Sequence, residues 1–413
     1  MSRGTMPTVH AGYMPLLDCA PLVVAATEGF AEAEGVHLAI TRESSWATVR
    51  DKLAVHHLDV AHVLAPMPIA SNLELAPLNT PLVVPISLGF GGNTVTVSRA
   101  LWRQLADLGA PSDFDAAATA AAMAALVAAR RRKGEAPLVI AVVHTHSAHH
   151  YELAYWLATV GLIPGRDYEI MVVPPQLSAA ALAAGHVDGF CAGEPWGSVA
   201  VAEGVGAIVT TKPNIWRSSP EKVLGVRADW ADANPDTLDR LVRAVYRAAQ
   251  WCDEPANRPR LAALMSGPEY LAQPVERLLP ALTRALVAAD GTIRGVPDLL
   301  TFSARAANFP WHSHALWLYT QMVRWHHAPL TRAAFATARD TYRPDLNRRA
   351  LTPLGAPLPS ANSKIEGALA VETPVGSASG RLTLGPDGAF DGQLFDPDHA
   401  LDYLASLGFA MPD

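Results

Sequence analysis

Short apolar segments rich in β-branched residues alternate along this chain with longer segments rich in alanine and leucine. The apolar segments are 60–64, 81–86, 138–143, 170–173 and 207–209. The helical segments are 17–30, 116–132, 151–160 and 179–184, and longer helices are expected at 236–251, 274–289 and 314–326. Short strands that alternate with helices are typical of an α/β fold. The sequence therefore predicts an α/β fold with mostly parallel strands.

The composition excludes a disordered chain and a nonspecific nucleic-acid-binding protein. With 413 residues, half of them apolar and 17% charged, the chain is long enough for about two or three folded domains. Its formal net charge of -7 argues against broad binding of nucleic acid, which needs a basic surface. Cys19, Cys191 and Cys252 lack CxxC or zinc-ligand spacing, so we expect buried free thiols.

The first residues, from Met1 to Pro7, contain no apolar leader, lipoprotein cysteine or twin-arginine pair. The apolar run 21–26 is too short to span a membrane. We therefore expect a cytoplasmic protein that contacts neither membrane nor nucleic acid directly. The alternative is an exported protein whose leader is missing from this sequence.

Two tryptophans stand beside turn-forming residues where strands are expected to end. Trp46 follows the run 43–45, and Trp196 closes the run Gly193-Glu194-Pro195. Glu194 precedes proline, which favours an extended backbone there. A flat side chain at each of two strand ends suits a cleft for a small planar ligand. The alternative is that both tryptophans are core residues and that Glu194 is a hydrogen-bonded turn residue.

Four histidines, His144, His146, His149 and His150, cluster between an expected strand and an expected helix. No HExxH motif accompanies them, and no carboxylate lies at a fixed metal-ligand spacing, so a metal site is not the preferred interpretation. The first turn of a helix favours an anion, because its free backbone N–H groups and its dipole attract negative charge. One of these histidines is therefore a candidate donor to an anionic ligand.

The run 89–93, Gly-Phe-Gly-Gly-Asn, lies between two expected strands and lacks the order GxGxxG. No GxSxG, Walker or kinase motif occurs in the chain, so the sequence does not indicate dinucleotide binding or the reactions of those families. Glycines in this place suit a crossing between domains or a close approach of backbone to a ligand.

Several long motifs resemble those of the nitrate- and bicarbonate-binding proteins of ABC importers. They are 12–22, 42–53, 62–68, 147–156, 173–175, 188–196, 220–225, 309–311 and 321–325, and they cover essentially the whole chain. Because no export signal is visible, the chain is most similar to the cytoplasmic nitrate/nitrite sensor of a two-protein antitermination system. The resemblance implies that such a sensor holds an RNA-binding antiterminator protein inactive and releases it when the anion binds.

The resemblance also implies a two-lobed class II periplasmic-binding-protein-like fold with a hinge and a C-terminal extension. We expect residues 1–93 and 214–352 to form lobe I and residues 94–213 to form lobe II. Residues 353–413 would form an extension that packs on this body. The ligand would lie between the lobes and close them.

The ligand-binding residues that the resemblance implies are Trp46 (flat wall or indole N–H), Gly89 (backbone N–H), Asn93 (amide), His149 (donor at a helix start), Glu194, and Lys222 (countercharge). Lys212 is the spare candidate for the countercharge. A lysine at Lys222 favours nitrate or nitrite over bicarbonate, whose O–H group needs an acceptor. Asn93 stands where the family has glutamine, so nitrite stays open beside nitrate.

We therefore expect a nitrate/nitrite sensor and not an enzyme, without cofactor or metal. Its partners would be nitrate or nitrite and an RNA-binding antiterminator protein of the ANTAR type. One alternative is the substrate-binding component of a nitrate/nitrite or bicarbonate importer. Another is an enzyme of the related thiamine-precursor or sulfonate-linked proteins, for which Cys191 is the cysteine nearest to a site motif.

Overall fold

The computed structural model of the chain describes residues 6–377 and 379–411. Its strands are β1 Thr8–Tyr13, β2 His37–Arg42, β3 Val60–Leu64, β4 Leu82–Ser87, β5 Phe90–Gly91, β6 Asn93–Ser98, β7 Leu138–Val142, β8 Tyr168–Val172, β9 Gly189–Gly193, β10 Gly206–Thr211, β11 Lys222–Arg227, β12 Ala285–Val287, β13 Ile293–Gly295, β14 Leu300–Thr301, β15 Thr373–Val375 and β16 Leu382–Leu384.

Its α-helices are α1 Ala20–Thr27, α2 Phe30–Ala33, α3 Trp46–Ala54, α4 Pro66–Asn72, α5 Arg99–Asp107, α6 Ala116–Arg132, α7 Ala148–Ala158, α8 Ser178–Ala183, α9 Trp196–Ala202, α10 Lys212–Ile215, α11 Ala228–Ala233, α12 Pro235–Asp253, α13 Arg258–Met265, α14 Val275–Leu282, α15 His312–Arg324, α16 Arg332–Thr341, α17 Pro344–Leu351 and α18 Ala400–Ser406. Several begin at a polar residue that accepts a hydrogen bond from the first turn: Ser45 caps α3, Asp115 caps α6 and Ser147 caps α7.

Two five-stranded sheets form the centre of the molecule. The first has the order β2-β1-β3-β11-β4, and the second has the order β10-β6-β9-β7-β8. The first therefore takes its strands from 8–87 and 222–227, and the second takes its strands from 93–211. The α/β fold class is confirmed. The exact bounds expected for the two lobes and the extension stay a prediction.

The expectation of mostly parallel strands is confirmed, because four of the five strands in each sheet run in the same direction, but both sheets are mixed. In the first sheet β1 runs parallel to β2 and β3, but β11 runs antiparallel to β3 and β4. In the second sheet β7 runs parallel to β8 and β9, but β6 runs antiparallel to β9 and β10. The chain reaches β6 from β4 of the first sheet through the short strand β5, and it reaches β11 from β10 of the second sheet. Neither returns through a helix to its own sheet, the connection that makes neighbouring strands parallel.

The prediction of a helix over 274–289 is wrong in its second half. Helix α14 ends at Leu282, and Arg284 adopts the left-handed backbone conformation with φ of 59°. Residues 285–287 then pair with 293–295 in an antiparallel hairpin. The apolar run alone did not distinguish a buried helix from a short strand whose partner lies beyond a turn.

The C-terminal residues 387–403 contact helices α7 and α15 and Trp216, which follows α10. Trp216 Nε1 donates to the carbonyl of Asp387 (3.1 Å), and Gln321 Nε2 donates to the hydroxyl of Tyr403 (2.9 Å). The hydroxyl of Tyr155, on α7, donates to the carboxylate of Asp391 (2.8 Å).

Within the described residues, the structure contains no helix with the length and apolar character needed to cross a bilayer.

Candidate functional site

The ends of strands from both sheets meet at one place. Lys222 begins β11 and pairs with Leu64, the last residue of β3. Asn93 begins β6 and pairs with Gly193, the last residue of β9. Because β6 and β11 run antiparallel to these neighbours, their first residues lie at the same sheet edge as the ends of β3 and β9. Helix α3 also begins here, at Trp46, which follows β2.

A network of buried polar side chains occupies this place, and we call it the cleft cluster. Its members are Asp18, His62, Asn93, His149, Glu152, Lys212, Glu221 and Lys222, none of them more than 5% exposed. Buried charged groups persist only when they are paired and hydrogen-bonded. The arrangement of these pairs therefore decides what the site is able to bind.

Glu221 joins the two halves of the cleft cluster. Its Oε2 accepts from Nδ2 of Asn93 (2.6 Å) and from Nζ of Lys212 (2.7 Å). Its Oε1 accepts from Nζ of Lys222 (2.7 Å) and lies 3.3 Å from Nδ1 of His149, without the alignment of a hydrogen bond. The carboxylate therefore touches groups that belong to both sheets.

The two lysines differ in how many of their N–H groups are used. Lys212 donates to Glu221, to Glu152 and to the carbonyl of Pro220. Lys222 donates to Oδ2 of Asp18 (2.8 Å) and to Glu221. An ammonium group has three donors, so Lys212 is saturated and Lys222 keeps one. The geometry therefore favours Lys222 over Lys212 as the lysine that can contact a further anion.

Asp18 and His62 fix the position of Lys222. Nε2 of His62 lies 2.9 Å from Oδ1 of Asp18, whose other oxygen accepts from Lys222. Burial would raise the pKa of the Asp18 carboxyl, but Lys222 and His62 outweigh burial and hold that pKa below its usual range. Burial would lower the pKa of Lys222, but Asp18 and Glu221 hold it above its usual range. Both groups are therefore charged at neutral pH.

Trp46 lies beside this ion pair. Nζ of Lys222 is 5.7 Å from the centre of the Trp46 ring, and the ring of His62 is 5.4 Å away. A cation at that distance is attracted to the ring. Trp46 is buried, yet its indole N–H has no hydrogen-bond partner among the described residues.

His149 has the same property. It lies in the first turn of α7 and is fully buried, and neither ring nitrogen has a hydrogen-bond partner in the part of the chain that the structure describes. Burial lowers the pKa of its imidazole to about 3, so the ring is neutral at physiological pH and carries one N–H. Oδ1 of Asn93 is also buried without a partner. Buried polar groups are rarely left unpaired, so three of them beside Lys222 and Glu221 mark a place suited to a polar ligand.

Two of the residues implied by the family resemblance do not join these contacts. A side chain at Gly89 would meet the carbonyl of Thr301 at 2.6 Å, so this glycine allows β14 to approach closely. The carboxyl of Glu194 accepts from the hydroxyl of Thr94 (3.0 Å) and the backbone N–H of Ser198 (3.3 Å). Burial raises its pKa, which favours the neutral acid. Their roles in ligand binding stay predictions.

Sequence reasoning missed four members of the cleft cluster: Asp18, His62, Glu152 and Glu221. Each lies inside a motif that carries the family resemblance. Single acidic residues or histidines within apolar runs were the available signal. The sequence did not show which of them would be buried together.

The other three histidines form a separate group at the start of α7. Nδ1 of His146 lies 3.0 Å from the hydroxyl of Tyr151, which lies 3.2 Å from Nδ1 of His327. Burial lowers the pKa values of His144, His146 and His150 to about 4, 3 and 4. Among the described residues, no group of three or more potential ligands has the geometry of a metal site.

The sequence and the structure both match known proteins. The model of the NMT1-like family matches residues 3–266. The nitrate import ATP-binding protein NrtC of Synechocystis sp. is 31% identical over 95% of this chain, and the bicarbonate transport ATP-binding protein CmpC of Synechococcus elongatus is 33% identical over 78% of it. The chain spans about half the length of these two relatives, 54% and 46%.

One solved structure matches over nearly the full length of both chains. It is the periplasmic nitrate-binding protein NrtA from Synechocystis PCC 6803, with a TM-score of 0.85 and 28% sequence identity. The match covers 97% of this chain and 98% of that one. The two-lobed periplasmic-binding-protein-like fold expected from the sequence is thereby confirmed.

Proposed function

The chain belongs to the NMT1-like family, and we propose that it binds nitrate or nitrite in the cleft cluster. It acts as a binding protein and not as an enzyme, as the full-length similarity to the nitrate-binding protein NrtA supports. One observation carries the proposal: Trp46 and His149 each contribute a buried N–H group without a partner, beside an ammonium group with a spare donor. Nitrate accepts hydrogen bonds and donates none, so it needs such groups.

Each of these residues would have a separate role in binding the anion. Lys222 supplies the positive charge and its third N–H, while the ring of Trp46 supplies a flat surface and its N–H. His149 supplies a donor from the side of the second sheet. Asp18 and Glu221 hold Lys222 in place and also compete with the anion for its charge. Net affinity is therefore the difference between the new contacts and the contacts that are weakened.

Bicarbonate is the second candidate ligand, and one observation favours it. Oδ1 of Asn93 is a buried acceptor without a partner, which suits the O–H group of bicarbonate and not nitrate. Isothermal titration of the dialysed protein with nitrate, nitrite and bicarbonate in separate runs decides between them. Heat with nitrate or nitrite alone supports the proposal. Heat with bicarbonate alone, or with none of the three, overturns it.

We propose a regulatory role for this binding, in which the protein senses nitrate or nitrite and controls an RNA-binding antiterminator of the ANTAR type. The net charge of -7 supports a division in which the partner makes the RNA contact. If the partner binds the open form, the anion and the partner must weaken each other's binding by the same factor. The alternative role is delivery of the anion to an importer.

An experiment on the intact protein separates these two roles. The protein is immobilised, purified ANTAR-type antiterminator is passed over it, and nitrate is added. Release of the antiterminator at nitrate concentrations near the measured Kd supports the sensor. The Lys222→Ala variant is the control, because it should retain the partner when nitrate is added. No capture of the antiterminator, with intact nitrate binding, would favour the importer role.

A further inference from the structure

The cleft cluster contains more carboxyl groups than ammonium groups. Asp18 is paired with Lys222 and His62, and Glu221 touches both lysines. Glu152 has one cationic partner among the described residues, Lys212, and shares it with Glu221. Three carboxyl groups therefore face two ammonium groups, and Glu152 is the least compensated of the three.

We propose that this site binds its anion together with a proton, and that Glu152 is the residue that takes the proton. The inference rests on the proposed function, because it concerns the same anion. With all three carboxyl groups ionised, a bound monoanion would bring the cluster to two excess negative charges. Burying uncompensated charge is strongly unfavourable, and a buried group neutralises instead. The neutral acid is therefore the favoured form of Glu152 when the anion is bound.

The surroundings of Glu152 support this assignment. The groups that face it are Lys212 of α10, Glu221, Asn93 of β6 and Cys191 of β9, while His149 lies one turn before it on α7. Burial raises the pKa of Glu152 to about 7, and Glu221 raises it as well, although Lys212 lowers it.

The neighbouring groups are less suited to take the proton. Burial would raise the pKa of Glu221, but the two lysines that donate to it hold that pKa below its usual range, so Glu221 stays ionised. Burial raises the pKa of Cys191 well above its usual value, so the thiol already carries its proton. His149 has a pKa lowered to about 3, mainly by burial. Glu152 is therefore the group whose protonation changes most easily near neutral pH.

The sign of the pH effect follows from linkage. A bound anion favours the protonated form of Glu152, so the complex holds more protons than the free protein. Affinity therefore rises as pH falls. Above the pKa of the free protein, the Kd should weaken by up to about tenfold for each pH unit.

The experiment is calorimetric titration of the intact protein with sodium nitrate at pH 8, in buffers of different ionisation enthalpy. The slope of observed enthalpy against buffer enthalpy gives the number of protons taken up, and we expect roughly one per nitrate by the same linkage. Glu152→Gln keeps the shape and hydrogen-bonding capacity of the side chain, and it should reduce the slope to near zero. Glu169→Gln, at an exposed position of β8 in the second sheet, is the matched control and should keep the wild-type slope.

The outcomes separate this inference from the proposed function. Heat of nitrate binding with zero slope in the wild-type protein overturns proton uptake and leaves nitrate binding intact. A wild-type slope that persists in Glu152→Gln overturns the assignment to Glu152. No heat with nitrate at any pH overturns the proposed function, and this inference with it. The wild-type slope tests whether nitrate binding takes up a proton even if the variant does not fold.

Discussion

Replacing Trp46 with phenylalanine should weaken anion binding while costing little stability. The variant keeps most of the aromatic surface beside Lys222 and removes the indole N–H, which has no partner in the described structure. A buried donor without a partner destabilises a protein by about 1–3 kcal/mol. Its removal therefore offsets part of the loss of packing that any substitution of tryptophan by phenylalanine causes.

Trp156 provides the matched comparison. It is as fully buried as Trp46, but its Nε1 donates to the carbonyl of Ala116 (2.8 Å). Trp156→Phe loses the same volume and also a buried hydrogen bond, which contributes about 0.5–1.5 kcal/mol, while the carbonyl of Ala116 keeps its helical donor at the start of α6. With the relief of about 1–3 kcal/mol at Trp46, the two variants should differ in unfolding free energy by about 1.5–4.5 kcal/mol, with Trp46→Phe the more stable.

Nitrate affinity should change in the opposite order, with the larger loss in Trp46→Phe. A hydrogen bond to a charged group contributes about 1.5–3 kcal/mol, so Trp46→Phe should bind nitrate roughly 10 to 150 times more weakly. Trp156→Phe should bind nitrate like the wild type. The measurements are urea unfolding without nitrate and calorimetric titration with it. The reasoning fails if Trp46→Phe unfolds as easily as Trp156→Phe, or if it binds nitrate with unchanged affinity.

Three further predictions concern the countercharge, the histidines and the C-terminal segment. Lys222→Ala should weaken nitrate binding by roughly 2–5 kcal/mol in calorimetric titration, whereas Arg131→Ala, which removes an exposed contact with Asp167, should leave the Kd unchanged. The pKa values of about 3 to 4 at His144, His146 and His150 lie below the ordinary 6.5, so the unfolded chain binds more protons and stability decreases as the pH falls. Urea unfolding should show a loss of about 1.4 kcal/mol per histidine for each pH unit between about 6 and 4, and a flat profile would contradict this. Tyr155→Phe removes the hydrogen bonds to Asp391 and should speed proteolysis of the segment 380–411 at little cost in global stability, while unchanged cleavage would show that this contact does not hold the segment.

The fold class was predictable because the pattern that determines it is local. Segments such as 60–64 and 138–143 are short and apolar, and the strands β3 and β7 lie there. The reversed direction of one strand in each sheet was not predictable in the same way. β6 and β11 enter their sheets from the other half of the molecule, and no local pattern in either strand records that path. The hairpin of β12 and β13 was missed for a related reason, because its apolar residues suit a helix until their partner strand is known.

Single residues in the sequence indicated the location of the candidate site. They did not indicate its charge balance. Trp46, Asn93, His149 and Lys222 stand in distinctive motifs, and the structure brings them together around Glu221. The contact between Lys222 and Asp18 joins residues 204 positions apart, and that between Lys212 and Glu152 joins residues 60 apart. A lysine in a motif suggests an anion site, but its partners decide how much of its charge is available. Since Lys222 already faces two carboxylates, its presence alone does not predict strong anion binding. The affinity depends on how the excess negative charge of the cleft cluster is neutralised. For this reason the uptake of a proton by Glu152 is part of the proposed binding reaction.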